Sequence, residues 1–200
     1  MGDFKYLGSP ITENSDNNTD IKARIMAGNR SYYSVLPLLR SKAVSRTTKI
    51  RMYKTITRPV VLCGSEARCL TANDEKNLCV WERKVLRKIF GPICVAEYWG
   101  SRTHEEVRQL YGEFGIVTEI IKGRLRWLGH VERMSEERVV KRLYQNTAEG
   151  SRGVGRPGLR WMDDVREDQR RMGVTNWRIR AHRRDDRKMV VKEAKVIQVL

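Results

Sequence analysis

TANDEKNLCVWERKVLRKIFG, residues 71–91, reads as a helix from end to end. Thr71 stands where a helix cap belongs. Asp74 follows three residues on, the spacing at which two side chains satisfy each other's backbone N–H groups. Leu78, Trp81, Val85 and Ile89 then recur at steps of three and four, which places them on one face at 3.6 residues per turn. Gly91-Pro92 ends the run. A helix with one apolar stripe must bury it against other elements, so this stretch sets the expectation of a mainly α fold.

The same signals recur on either side. Upstream, residues 19–36 predict a helix capped by Thr19 or Asp20, with Ile21, Ile25, Tyr32 and Leu36 near one face and Pro37 at its end. Ser45 is placed to cap a second helix carrying Ile50, Tyr53 and Ile56, which Pro59 is expected to kink or stop. Downstream, Thr103 with Glu106 makes another capping pair for a short helix through Leu110. Residues 116–134 predict a further helix, with Ile120, Ile121, Trp127, Leu128 and Val131 available for packing. EGSRGVGRPG (149–158) has four glycines and a proline in ten residues and reads as a linker; Leu159–Met172 and Thr175–Met189 read as helices beyond it. Only FKYLG (4–8) reads as a strand, closed by Gly8 and Pro10, with a polar loop ENSDNNTD at 13–20. A lone strand has no partner in the sequence, and single strands are not stable by themselves.

Charge is the next signal. There are 40 Lys+Arg against 24 Asp+Glu, for a net charge of +16. Residues 1–20 carry −3 and residues 66–200 carry +9. Between them, residues 21–65 hold ten basic side chains (Lys22, Arg24, Arg30, Arg40, Lys42, Arg46, Lys49, Arg51, Lys54, Arg58) and no acid. An ordinary solvated helix mixes both signs and gains i,i+4 pairs; this stretch gives those up. A phosphate-facing surface accounts for that pattern, and a chance run on a solvated face is the plainer alternative. A membrane surface fits poorly, because Pro37 and Pro59 interrupt the segment and no long amphipathic run with a Trp/Phe face is present.

Cys63, Cys69, Cys79 and Cys94 are irregularly spaced, with no CxxC or HxxxH pair, so no zinc site is expected. No apolar h-region follows Met1, and no run of 18 apolar residues exists. Reduced thiols and an intracellular location, nucleus or cytoplasm, are the expectation.

Taken in order, FKYLGSPIT (4–12), IKARI (21–25), TTKIRMYKTITRPVVLCGSEA (47–67), LRKIFG (86–91), RLRWLGHVERM (124–134) and GRPGLRWMDDVREDQRRMG (155–173) resemble the non-LTR (LINE-type) retrotransposon reverse transcriptases. The likeness covers residues 4 to about 180. It implies that residues 4–12 correspond to the last palm strands, with Phe4, Tyr6, Leu7 and Gly8 in the region where that family holds the primer end. It implies a thumb over 19–70, a helical element lying against the template–primer duplex, and a C-terminal helical region over 71–180. The organisation expected is therefore a strand remnant and loop at 1–18, a thumb-like segment at 19–70 and helices at 71–148. The linker at 149–158 and C-terminal helices at 159–200 complete it. The family's fingers, most of its palm with the metal-binding aromatic-x-Asp-Asp hairpin, and its N-terminal endonuclease have no counterpart in these residues. Where relatives carry Tyr and Trp, this sequence has Cys63 and Arg68.

Trp161-Met162-Asp163-Asp164 imitates the polymerase signature. Two-metal phosphoryl transfer needs paired carboxylates on a tight hairpin. Here Trp161, Val165 and Met172 recur at helical spacing, so Asp163 and Asp164 point 100° apart on a helix. Gly155-Arg156-Pro157 resembles the core of an AT-hook, although a flexible linker is the simpler reading. Arg124-Leu125-Arg126-Trp127 and Trp177-Arg178-Ile179-Arg180 interleave cations with Trp, as a stacking surface would, or as a core Trp flanked by solvated arginines would. His104, His130 and His182 are dispersed and assemble no nucleophile–base set.

The reading that results is a C-terminal fragment or truncated copy of such a reverse transcriptase, with no catalytic residues, metal or cofactor of its own. Sequence-independent contacts to an RNA and/or DNA template–primer backbone are expected from Arg24, Arg30, Arg40, Lys42, Arg46, Lys49, Arg51 and Lys54. The alternatives are a helical module that docks a protein partner through its Trp-rich helices, and an inert relic of a retrotransposon reading frame.

Overall fold

The structure is a computed structural model that describes residues 4–6, 9–11, 17–95, 97–146 and 160–171. The linker at 149–158, the helix expected over 175–189, Leu7 and Gly8, and the Trp177 and His182 motifs lie outside them. The described chain is mainly helical with a short N-terminal β piece. Its order is β1 (Phe4–Tyr6), β2 (Ser9–Ile11), α1 (Asn17–Arg40), α2 (Arg46–Met52), a π-helical turn (Tyr53–Thr57), α3 (Arg58–Leu62) and a 3-10 turn (Ser65–Ala67). Then come α4 (Ala72–Phe90), β3 (Ile93–Val95), β4 (Tyr98–Gly100), α5 (His104–Tyr111), α6 (Ile116–Glu132), α7 (Val139–Gln145) and α8 (Trp161–Arg171). Two compact units divide it: Met1–Cys63 with Thr71–Val117, and Gly64–Leu70 with Thr118–Leu200.

The strand expected to stand alone has a partner: β1 pairs antiparallel with β2, Tyr6 opposite Ser9. A second hairpin, which no sequence signal announced, pairs β3 with β4, Val95 opposite Tyr98. Glu97 takes the positive φ of 70° that such a tight connection requires, where Gly or Asn would have advertised it.

Neither proline breaks its helix. Pro37 lies inside α1, which runs on to Arg40. A proline so near the end of a helix removes only one N–H from the ladder. The carbonyls of Pro37 and Leu38 both take the amide of Ser41, at 3.1 and 3.2 Å. Pro59 opens α3, directly after the π turn. Widening to i→i+5 bonds re-routes the ladder around the missing donor. It also turns the faces: Thr57 is buried while Ile56, expected on the apolar face, is exposed.

In the first unit, α1 buries Ile21, Gly28, Val35 and Leu39; of the stripe expected, Ile21 is buried while Ile25, Tyr32 and Leu36 are half-buried. Gly28 is the point of closest approach. A Cβ there would lie 2.4 Å from Val61 Cγ2 and 2.8 Å from Trp81 Cζ2. The Trp81 indole donates to Asn29 Oδ1 at 2.9 Å on the next residue. Both capping boxes expected from the sequence, Thr71 with Asp74 and Thr103 with Glu106, are formed. Leu78, Trp81, Val85 and Ile89 are all buried.

Beneath them Glu82, also buried, gathers two donors. The Tyr53 hydroxyl approaches Oε1 at 2.6 Å, and the Ile116 amide approaches Oε2 at 2.8 Å. A carboxylate from α4 thus sits at the N-terminus of α6, where backbone donors and the helix dipole favour negative charge. Burial first, and then the Glu82 carboxylate, push the Tyr53 phenol well up from its ordinary value.

The second unit is organised around Arg124. Its side chain is 2 % exposed and meets Asp168 Oδ2 at 2.5 Å, Asp164 Oδ2 at 3.2 Å and the Arg68 carbonyl at 3.1 Å. Asp164 also accepts from the Leu70 amide, and the Trp161 indole donates to the Glu66 carbonyl at 2.7 Å. Residues 66–70 are thereby tied to α6 and α8. The helix α7, which the sequence did not signal, is anchored by Lys141. Its Nζ donates to the Glu132 carbonyl at 2.9 Å, while the Tyr144 hydroxyl donates to the Glu132 carboxylate.

Candidate nucleic-acid interface

The exposed side of α1 carries one continuous stripe, with the exposed Ser34 and Leu38 beside it. Lys22, Met26, Arg30, Tyr33, Pro37 and Arg40 are all exposed, and steps of three and four keep them within about 80° of one another. Cations at 22, 30 and 40 are spaced along it by about 12 and 15 Å. The connection to α2 adds Lys42, and α2 adds Arg46 and Arg51, both exposed, with Lys49 half-buried. No acidic side chain stands in the first turn of α2, whose N-cap is the Ser45 hydroxyl accepting from Thr48 at 3.2 Å. Among the described residues, none of Arg30, Arg40, Lys42, Arg46, Lys49 and Arg51 makes an ion pair. Arg46 lies over the Phe90 ring, 6.0 Å from its centroid, which holds the guanidinium without neutralising it.

Two of the eight expected contact residues are differently placed. Arg24 falls on the same side of α1 as Ile21 and Gly28 and is only 7 % exposed, with its guanidinium 3.8 Å from Asp20. Lys54 is tied to Glu113, at 2.7 Å. Freedom from acids over 21–65 is a property of sequence; in space Asp20 and Glu113 come to the basic segment from outside it. Lys22, not among the eight, lies on the exposed stripe that Arg24 does not join. Of the remaining base in the run, Arg58 donates to the Tyr111 hydroxyl at 3.1 Å and lies over the Tyr53 ring. Of the residues expected near a primer end, Phe4 and Tyr6 belong to β1, and Leu7 and Gly8 lie outside the described residues.

Asp163 and Asp164 separate as the helical reading expects. Asp163 pairs with Arg166 at 3.3 Å toward solvent, and Asp164 turns inward to Arg124 and Leu70. Burial raises the Asp168 carboxyl to about 6 against the attraction of Arg124. Burial also lifts the Cys69 thiol to about 11, helped by the nearby Asp164 charge. Among the described residues no three His, Cys, Asp or Glu side chains gather as metal ligands. The Arg124–Trp127 motif splits: Arg124 is consumed in the core, Arg126 is exposed and Trp127 is half-buried. Trp127 lines an open pocket of about 820 Å³ together with Tyr144, Arg160, Trp161 and Arg166. Along α7, Val139, Val140 and Leu143 are exposed beside it.

No described helix is long and apolar enough to cross a membrane. Compared with known protein families, curated proteins and solved structures, the chain matches none.

Proposed function

We propose that this chain binds the backbone of RNA, DNA or their hybrid without regard to sequence, in the manner of the reverse-transcriptase thumb that residues 19–70 resemble. The observation that supports this is the set Arg30, Arg40, Lys42, Arg46, Lys49 and Arg51, six cations on consecutive elements with no carboxylate against them among the described residues. Each phosphate contact releases counterions, so six contacts give log K against log salt a slope of about −4 to −5. The engagement of Asp164 and Asp168 by Arg124 supports a reading in which these carboxylates are structural and take no part in polymerase chemistry.

The test is a fluorescence-anisotropy titration of a template–primer hybrid at several salt concentrations. It is run on the wild type and on a variant with Arg40, Lys42, Arg46 and Arg51 all changed to Glu. Loss of binding with unchanged circular dichroism is the expected result. A salt-insensitive curve, or full binding by the variant, overturns the reading. In that event the exposed apolar side of α7 favours the second reading, a helical module that docks a protein partner.

A further inference from the structure

Tyr98 and Trp99 are 83 % and 74 % exposed, the most open large hydrophobic residues described. They stand side by side on β4, so alternation sends them to opposite faces of the β3–β4 ribbon, Trp99 opposite Cys94 and Tyr98 opposite Val95. The ribbon's base is fixed by reciprocal arginine contacts. Arg102 Nε donates to the Gly91 carbonyl at 3.1 Å, and Arg87 Nε donates to the Arg102 carbonyl at 3.0 Å. Arg102 is three residues from Trp99, so their Cα atoms are within about 10 Å.

The surroundings carry both signs, with cations in excess: Glu97 stands at the ribbon's turn and Glu105 and Glu106 in the first turn of α5. Lys84 and Lys88 are exposed on α4, and Arg83 comes within 3.5 Å of His104. The His104 imidazole is pushed down by burial first and then by Arg83 and Arg108, with Glu105 opposing. One aromatic on each face of a fixed ribbon, beside guanidinium groups, suits an unpaired strand that wraps the ribbon's edge, with rings for its bases and cations for its phosphates.

We infer that the β3–β4 ribbon is a second nucleic-acid site, specific for single strands, in which Trp99 and Tyr98 stack on unpaired bases while Arg87, Arg102 and Lys88 face the phosphates. It is separate in sequence from the α1–α2 cations and does not depend on them. Stacking survives salt better than phosphate contacts do, so this site keeps binding where the duplex site has let go.

The experiment uses the full chain with dT12, rU12 and a 12-base-pair duplex, each titrated by anisotropy. It is repeated with Tyr98→Ala/Trp99→Ala, with Trp99→Phe and with the four-residue charge reversal. The double alanine variant should weaken dT12 or rU12 binding about tenfold or more and change duplex binding less than twofold. Trp99→Phe should retain most of it. Photocross-linking of a 5-iodouracil strand should place the adduct at Trp99 or Tyr98. The charge reversal should remove duplex binding and spare the cross-link. The dT12 and rU12 arms tell deoxyribose from ribose. Equal losses on duplex and single strand overturn the proposal, as does no loss on either. So does a wild-type dimer that the double variant turns into a monomer with single-strand binding unchanged. Failure of the duplex site alone leaves the cross-link in place and so is told apart.

Discussion

Asp164 reaches back 94 residues to accept the backbone amide of Leu70, at 2.8 Å. With the same carboxylate it faces Arg124. An aspartate that imitates a polymerase ligand in the sequence is here the clasp of a structural junction. Asp164→Ala should therefore destabilise the fold by about 3 kcal/mol, because it leaves a buried guanidinium with one partner fewer and an amide with none. Its neighbour Asp163 makes only a surface i,i+3 pair, and Asp163→Ala should stay within about 0.5 kcal/mol. Urea unfolding followed by circular dichroism measures both. Equal effects would mean that the two carboxylates are not separated as described.

Asp168 makes the same junction sensitive to pH. Its carboxyl lies at about 6 when folded and 3.8 in the reference state, so the folded chain holds this proton more tightly. Between those values folding takes up a proton, and the contribution is complete below about 4 and lost as pH rises through 6. The stability difference between wild type and Asp168→Asn should accordingly shrink in favour of the variant from pH 4.5 to pH 7. A difference that is flat with pH, or grows, contradicts this.

Gly28 should not tolerate even a methyl group. At 2.4 Å from Val61 and 2.8 Å from Trp81 the new Cβ must displace side chains that are themselves buried. Gly28→Ala should cost about 1–3 kcal/mol. Val61→Ala opens the space, so the double variant should be more stable than the two single losses added together, which a double-mutant cycle reads directly.

Tyr53 should be silent in an alkaline titration of the native protein, since burial and Glu82 hold its proton. Its absorbance change should appear only with unfolding. Tyr53→Phe removes one donor from the buried Glu82 carboxylate and should cost about 1–3 kcal/mol. A phenol that titrates near 10 in the folded chain would refute the arrangement.

The basic residues divide into engaged and available groups, and salt dependence tells them apart. Arg46→Ala should reduce the slope of log K against log salt by about 1. Arg24→Ala and Lys54→Ala should leave it nearly unchanged, because Asp20 and Glu113 already hold those cations.

What the sequence disclosed follows from which forces act locally. The caps at Ser45, Thr71 and Thr103 involve neighbours three residues away, and all three are formed as read. The stripe of α4 is set by the same short range. The fate of Lys54 and Arg124 was not legible, because it depends on partners far along the chain: Lys54 meets Glu113, and Arg124 meets two aspartates of α8. Arg24 meets Asp20 at i,i+4, within the range of local reading, but just outside the acid-free run. Nor were the prolines decisive, because a π turn and a helix end absorbed them. The β3–β4 hairpin was hidden by a Glu in the left-handed turn position.

Residues 64–70 belong with α8 and most of α6, although the residues on either side of them, Cys63 and Thr71, belong to the other unit. The chain therefore enters the second unit, leaves it and returns. No single cleavage point yields two self-sufficient halves. Residues 118–200 expressed alone would lack the Arg68 carbonyl, the Leu70 amide and the Glu66 carbonyl that Arg124, Asp164 and Trp161 hold. Synthesis on the ribosome meets the same constraint, since residues 64–70 emerge long before their partners and must wait for α8 to be made. Any subdivision of this protein, by protease or by genetic rearrangement, has to carry that seven-residue loop along with the C-terminal part.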